Sequence, residues 1–168
     1  GGGVFIEALA EHRRRGGLGR LAYLGQGSEL PHLRELAARL APGQVDFPGV
    51  VPPEQAAEWL RGASAALVSI RPGLGYDFAK PTKIYAATGC GTPVVFAGVG
   101  ASRDLVSGQG LGWAVDHDAA AVAGAMDAAV AGPGPQAEHL VAWTEQNASL
   151  VAACRSAVAS VLARVAQG

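Results

Sequence analysis

Lys80, Thr82 and Lys83 stand almost side by side, and they include both lysines of a 168-residue chain whose other eleven basic residues are all arginine. Pro81 between them suits the first turn of a helix, because its missing N–H would have no intrahelical partner there and its φ is already set. Ile84, Tyr85, Ala87 and Thr88 continue at helical spacing until Gly89, Gly91 and Pro93 stop the helix, and a strand follows over Val94–Ala97. A hydroxyl and two compact ammonium groups at a helix start, beside free backbone N–H groups, make a seat for a phosphate. A solvated loop with ordinary surface lysines is the alternative, and charge alone leaves both open.

The segment entering this helix, Arg71–Ala79 (RPGLGYDFA), is long for a connection within a compact domain. It is either functional or a cover for the sheet edge. It carries Tyr76 and Asp77, and Asp77 is the one carboxylate between Glu58 and Asp104. It can contact a ligand hydroxyl there or be a solvated aspartate.

A second place for close backbone approach is Gly25-Gln26-Gly27-Ser28, which joins a strand candidate at Arg20–Leu24 to a helix over about Pro31–Leu40. The third glycine of a GxGxxG pattern would fall at position 30, where Leu30 stands, and the next strand candidate does not end in an acidic residue. Both features speak against a nicotinamide or flavin site.

The elements that must position these residues alternate. An amphipathic helix over Val4–Arg15 carries its arginine run at the carboxyl end, where cations complement the helix dipole. Strands follow at Gln44–Gly49 and Ala65–Ile70 around a helix at Glu54–Arg61. Beyond Ala97 come a short helix, Ser102–Val106, a strand, Leu111–Val115, and an alanine-rich helix ending at Gly132, with Asp116 read as its N-cap and His117 as a surface residue. Gly132-Pro133-Gly134-Pro135 then precedes a helical tail from about Gln136 to Gln167, whose stripe of Leu140, Trp143, Leu150, Val151, Cys154, Val158, Val161 and Leu162 is read as packing on the domain. Short strands alternating with helices predict an α/β fold with a mostly parallel sheet, since parallel neighbours need crossover connections. Ligands of such sheets bind beyond the carboxyl ends of the strands, where Gly25, Gly27, Gly49, Val50 and the Lys80–Lys83 cluster all fall.

Composition narrows the class further. With 49% hydrophobic and 16% charged residues the chain is globular, and a net charge of −1 gives no general attraction to nucleic acid or to an anionic membrane. Cys90 and Cys154 form neither a disulfide framework nor a zinc motif. The lack of a signal-peptide pattern and of a long apolar run leads to an expected cytoplasmic location. The absence of an initiator methionine, with an opening Gly1-Gly2-Gly3, suggests a piece of a longer reading frame.

In order, a strand into a GxG turn, a strand ending in glycine, a strand into a long loop, and then Pro81-Thr82-Lys83-Ile84-Tyr85-Ala86-Ala87-Thr88-Gly89-Cys90-Gly91-Thr92-Pro93-Val94-Val95 resemble the carboxyl-terminal, donor-binding domain of retaining GT-B glycosyltransferases of the GT4 type. That family's motif reads P-S/N-K-I-Y/F-E-Y-x-A-x-G-x-P-V-V. The resemblance implies a Rossmann-like, mostly parallel sheet with helices on both faces over residues 1–134, lacking its first strand, and a helical tail over 135–168. It implies binding of a nucleoside diphosphate sugar, with the diphosphate near Lys80, Thr82, Lys83 and Ile84, the nucleotide side lined by Gly25, Gln26, Gly27, Gly49 and Val50, and Tyr76 and Asp77 nearby.

No metal or other cofactor is expected. The acceptor would be held by a further domain in the same reading frame or by a partner chain, through which a peripheral membrane association could run; no nucleic-acid partner is expected. The chain departs from the family at two positions eight residues apart, where glutamates are common and Phe78 and Ala86 stand here. No catalytic residue is assigned, and the chain alone is not expected to be active. The alternative is a non-catalytic interaction module derived from such an enzyme.

Overall fold

The computed structural model describes residues 1–73, 75 and 81–148. The Val4–Arg15 periodicity becomes α1 (Gly3–Arg14), and the first apolar run becomes β1 (Leu21–Leu24). They are followed by α2 (Leu30–Leu40), β2 (Val45–Gly49), α3 (Pro53–Gly62) and β3 (Ala66–Ser69). The second half supplies α4 (Thr82–Gly89), β4 (Val94–Ala97), α5 (Ala101–Gly108), β5 (Gly112–Val115), α6 (Ala119–Ala131) and α7 (Ala137–Asn147). The part of the expected tail beyond residue 148 lies outside the described residues.

Among the described residues all strand pairs are parallel, in two sheets: β1 with β2, and β3-β4-β5 with β4 in the middle. The division falls between β1 and β3, whose Tyr23 and Ser69 hydroxyls both reach the start of α1. Val94, Val95, Phe96 and Ala97 of β4 are completely buried, as a central parallel strand covered on both faces must be. One apolar cluster joins Ile6 and Leu9 of α1, Leu33 and Leu36 of α2 and Val122 and Met126 of α6 to Leu21, Val95 and Ala97 of the strands. A second cluster, on the opposite face, joins Ile84 and Ala87 of α4, Val106 of α5 and Leu140 and Trp143 of α7 to Val68, Val94 and Phe96. The result is three layers, helices on both sides of parallel strands. Because the first cluster draws on strands of both sheets, α1, α2 and α6 hold the two sheets in one core.

Polar clasps fix the helices. His12 is buried; its Nε2 accepts from the Gly19 N–H at 3.1 Å, which leaves the ring proton on Nδ1, 2.5 Å from Asp127 Oδ1 of α6. A Cβ on Gly17 would stand 2.2 Å from the same ring, so only glycine lets the α1–β1 turn fold over it. Arg15 bonds both Glu11 and Asp127, and Arg14 also pairs with Glu11. The arginine run is therefore largely structural.

The hydrogen bond from His12, aided by Arg15 and opposed by desolvation, holds the Asp127 carboxyl below its ordinary range. A carboxylate depressed in the folded state stabilises fully above its unfolded pKa of about 3.9, and that contribution is lost as pH falls through the folded value. Asp127→Asn should therefore lower the urea midpoint at pH 7, and its deficit against the unmodified chain should close at pH values well below about 4. A deficit constant from pH 7 to pH 2.5 would contradict the assignment.

Two local expectations are corrected. Asp118, and not Asp116, caps α6, accepting from the N–H groups of Ala120 and Ala121 at 3.0 Å each. Asp116 is drawn off instead by Arg103 of α5, 2.8 Å away, a contact that spacing along the chain cannot reveal. His117 is half-buried, and its Nε2 is shielded from solvent without a hydrogen-bond partner among the described residues.

Candidate functional site

Parallel strands bring their carboxyl ends to one edge, and Gly25, Gln26, Gly27, Gly49, Val50, Thr82 and Lys83, among the described residues, follow strand ends there. The first is the turn after β1. Gly25 has φ +103° and donates its N–H to the Gly49 carbonyl at 2.6 Å, while Gly49, ending β2, has φ +82°. Both conformations belong to glycine, and nothing lies within 4 Å of a Cβ built on Gly25, Gly27 or Gly49. The backbone there is consequently open to an approaching ligand. Gln26 and Val50 beside it are exposed.

The second group is the start of α4. Pro81 occupies the N-cap with extended geometry, φ −59° and ψ 131°, and no side chain caps the helix. The Ile84 N–H bonds the Pro81 carbonyl at 3.0 Å. Thr82 and Lys83 are exposed, and Lys83 makes no ion pair with any described residue. Ala86, one turn on, is exposed on the same side.

The opposite side of α4 is held tightly. Ile84 is completely buried in the core, so its side chain seats the helix and does not reach the edge. Thr88 donates to the Ile84 carbonyl and accepts from Thr144 of α7 at 2.7 Å, and Tyr85 stacks on Trp143 with centroids 5.9 Å apart. This anchoring gives Thr82 and Lys83 a fixed platform. Tyr76, Asp77 and Lys80 lie outside the described residues.

Between these groups, at the division of the strands, sits the start of α1. The Tyr23 hydroxyl, on β1, donates to the Gly2 carbonyl at 2.6 Å, and the Ser69 hydroxyl, on β3, donates to the Gly1 carbonyl at 3.3 Å. Burial, with the nearby Glu29 carboxylate, pushes the Tyr23 phenol well above its ordinary range, so it remains a donor throughout the physiological range. Arg71, the second residue past β3, lies against Gly1: a Cβ there would be 3.1 Å from Nη2. Sequence reading placed Arg71 in a loop and gave it no role. Its position at the end of a strand was the available signal.

Among the described residues no group of three or more His, Cys, Asp or Glu side chains could hold a metal ion, and no helix is long and apolar enough to cross a membrane.

Parallel strands, crossover helices on both faces and an open glycine-lined edge define a Rossmann-like α/β domain of the kind found as one half of glycosyltransferases. The chain is similar in structure to AviGT4, a glycosyltransferase involved in avilamycin A biosynthesis: TM-score 0.72 at 23% sequence identity, covering 97% of this chain and 48% of that one. Residues 1–132 match the family model for glycosyl transferases group 1, and the chain belongs to that family. It spans about half the length of the AviGT4 chain. No curated protein matches.

Proposed function

We propose that this chain is the donor-binding half of a glycosyltransferase that moves a sugar from a nucleoside diphosphate sugar to an acceptor held by another domain, in the same reading frame or on a partner chain. The observation that carries the reading is the pairing, at one strand edge, of an uncapped α4 start bearing Thr82 and Lys83 with the open Gly25–Gly49 backbone. In this reading Gly25, Gln26, Gly27, Gly49 and Val50 border the nucleotide, the diphosphate meets Lys83, Thr82 and the free N–H groups of the first α4 turn, and Lys80, Tyr76 and Asp77 complete the donor side. As the bond from the sugar's anomeric carbon to the diphosphate oxygen breaks, negative charge grows on the departing diphosphate. Fixed positive charge and oriented N–H groups stabilise that charge. No metal is invoked. The protein would act in the cytoplasm, with no nucleic-acid partner, and any peripheral membrane contact would be made by the acceptor domain.

The alternative is an interaction module without donor binding, and exposed Ala86 on the Lys83 side of α4, where the family commonly has glutamate, is the feature that favours it. Calorimetric titration with uridine, guanosine and adenosine diphosphates decides between them. Saturable binding of one diphosphate, tighter than its nucleoside, is the expected result; no heat from any of the three, with the chain alone and with the full reading frame, would sink the donor reading.

A further inference from the structure

We infer that Arg71 is a second cation of this site and grips the phosphates of the nucleotide; the inference rests on the donor reading above. The fold puts Arg71 at a singular place. β1 and β2 lie on one side of the division and β3, β4 and β5 on the other, so the division is the point where the winding of the chain reverses, and open α/β sheets bind ligands outside the strand ends at such a point. The Ile70 N–H still bonds the Ala97 carbonyl at 3.1 Å, which extends the hold of β4 by one residue. Arg71 is the next residue, the first free of the ladder.

The guanidinium is directed by the bare backbone of Gly1, whose missing side chain leaves room for it: Nη2, Nε and Cζ would stand 3.1, 3.4 and 3.6 Å from a Cβ there. Gly1 itself is held by the Ser69 hydroxyl on the adjoining strand. Arg71 is thus carried and braced by the end of β3 on one side and the start of α1 on the other, while remaining exposed.

Arg14, Arg15 and Arg20 are paired with carboxylates, and Arg34 lies over the Phe47 ring, 4.6 Å from its centroid. Arg13, Arg39 and Arg61 stand in or near the last turns of α1, α2 and α3, at the opposite edge, where they complement helix dipoles. Arg103 is at the carboxyl edge but is engaged by Asp116 and the Gly98 carbonyl. Arg71, among the described residues, is the arginine at the ligand edge with neither a carboxylate nor a carbonyl partner. A guanidinium offers parallel N–H groups that match two phosphate oxygens, which an ammonium cannot do, so Arg71 and Lys83 have complementary roles.

The test is titration of the unmodified chain, Arg71→Gln and Arg71→Lys with the nucleoside diphosphate that binds best in the panel and with the corresponding nucleoside, alongside thermal melting. Arg71→Gln should weaken the diphosphate at least tenfold and leave nucleoside affinity and melting temperature unchanged, with Arg71→Lys recovering only part of the loss. Equal diphosphate affinities for the unmodified chain and Arg71→Gln would overturn the inference while leaving the donor reading intact. Equal losses for diphosphate and nucleoside would also overturn it, since Arg71 would then act on the shape of the site. If the chain alone binds no nucleoside diphosphate, the same variants are titrated in the full reading frame; if neither binds one, the donor reading and this inference fall together.

Discussion

Gly112→Ala is expected to destabilise the domain by about 3–5 kcal/mol, at the top of the range for single substitutions. Gly112 opens β5 with φ +152° and pairs with Val94 across the β4–β5 ladder. A Cβ there would stand 1.9 Å from the Val94 carbonyl oxygen and 2.7 Å from its nitrogen. No rotamer relieves this, because both sides of the clash are main chain, so β5 would have to leave β4 or twist away from it. Domains are stable by only about 5–15 kcal/mol, so the loss would consume a large share of the total. Gly124→Ala is the matched control. Gly124 is an exposed position in α6 with nothing within 4 Å of its Cβ, and helix propensity there favours alanine by about 1 kcal/mol. Urea titrations followed by circular dichroism should show Gly112→Ala largely unfolded or shifted to low urea, with Gly124→Ala at or above the unmodified midpoint. Coincident curves for all three would contradict the packing of β4 against β5.

Lys83→Ala is expected to act on binding and to leave the fold untouched. Hydrogen bonds to charged groups are worth about 1.5–3 kcal/mol, and the lower end applies to an exposed ammonium, which converts to about a tenfold loss of diphosphate affinity. Stability should not change, because Lys83 is exposed and has no ion-pair partner among the described residues. The combination of weaker diphosphate binding with an unchanged melting temperature distinguishes loss of a phosphate contact from damage to α4. Ile84→Ala should do the reverse: truncating a completely buried side chain costs about 2–5 kcal/mol and should be read chiefly in the melting temperature. An unaltered diphosphate affinity for Lys83→Ala would remove the positive charge of α4 from the proposed site.

Much of the fold is legible in the sequence. The start of α4 at Thr82, its end at Gly89 and β4 at Val94–Ala97 follow from Pro81, Gly89-Gly91 and Pro93, since these residues act on the backbone within a turn of themselves. The motif order was enough to indicate the glycosyltransferase family, and the family match over residues 1–132 agrees. Less legible was any choice between neighbours that a distant residue makes. Asp116 and Asp118 are equivalent as caps in the sequence; Arg103 engages Asp116, and Asp118 caps the helix. Ile84 sits in the motif beside Lys83, yet its side chain points into the core.

The sequence by itself determined which segments are helix and strand, that the sheet would be mostly parallel, and that the glycine turns and a lysine-bearing helix start would follow strand ends, because periodicity, proline, glycine and chain order are local properties. The tertiary structure alone decided the His12–Asp127 clasp between α1 and α6, the division of the strands between β1 and β3, and the stationing of Arg71 against Gly1 at that division. Each of these joins residues far apart in the chain, and such contacts are chosen by how the layers pack, which no window of neighbouring residues contains.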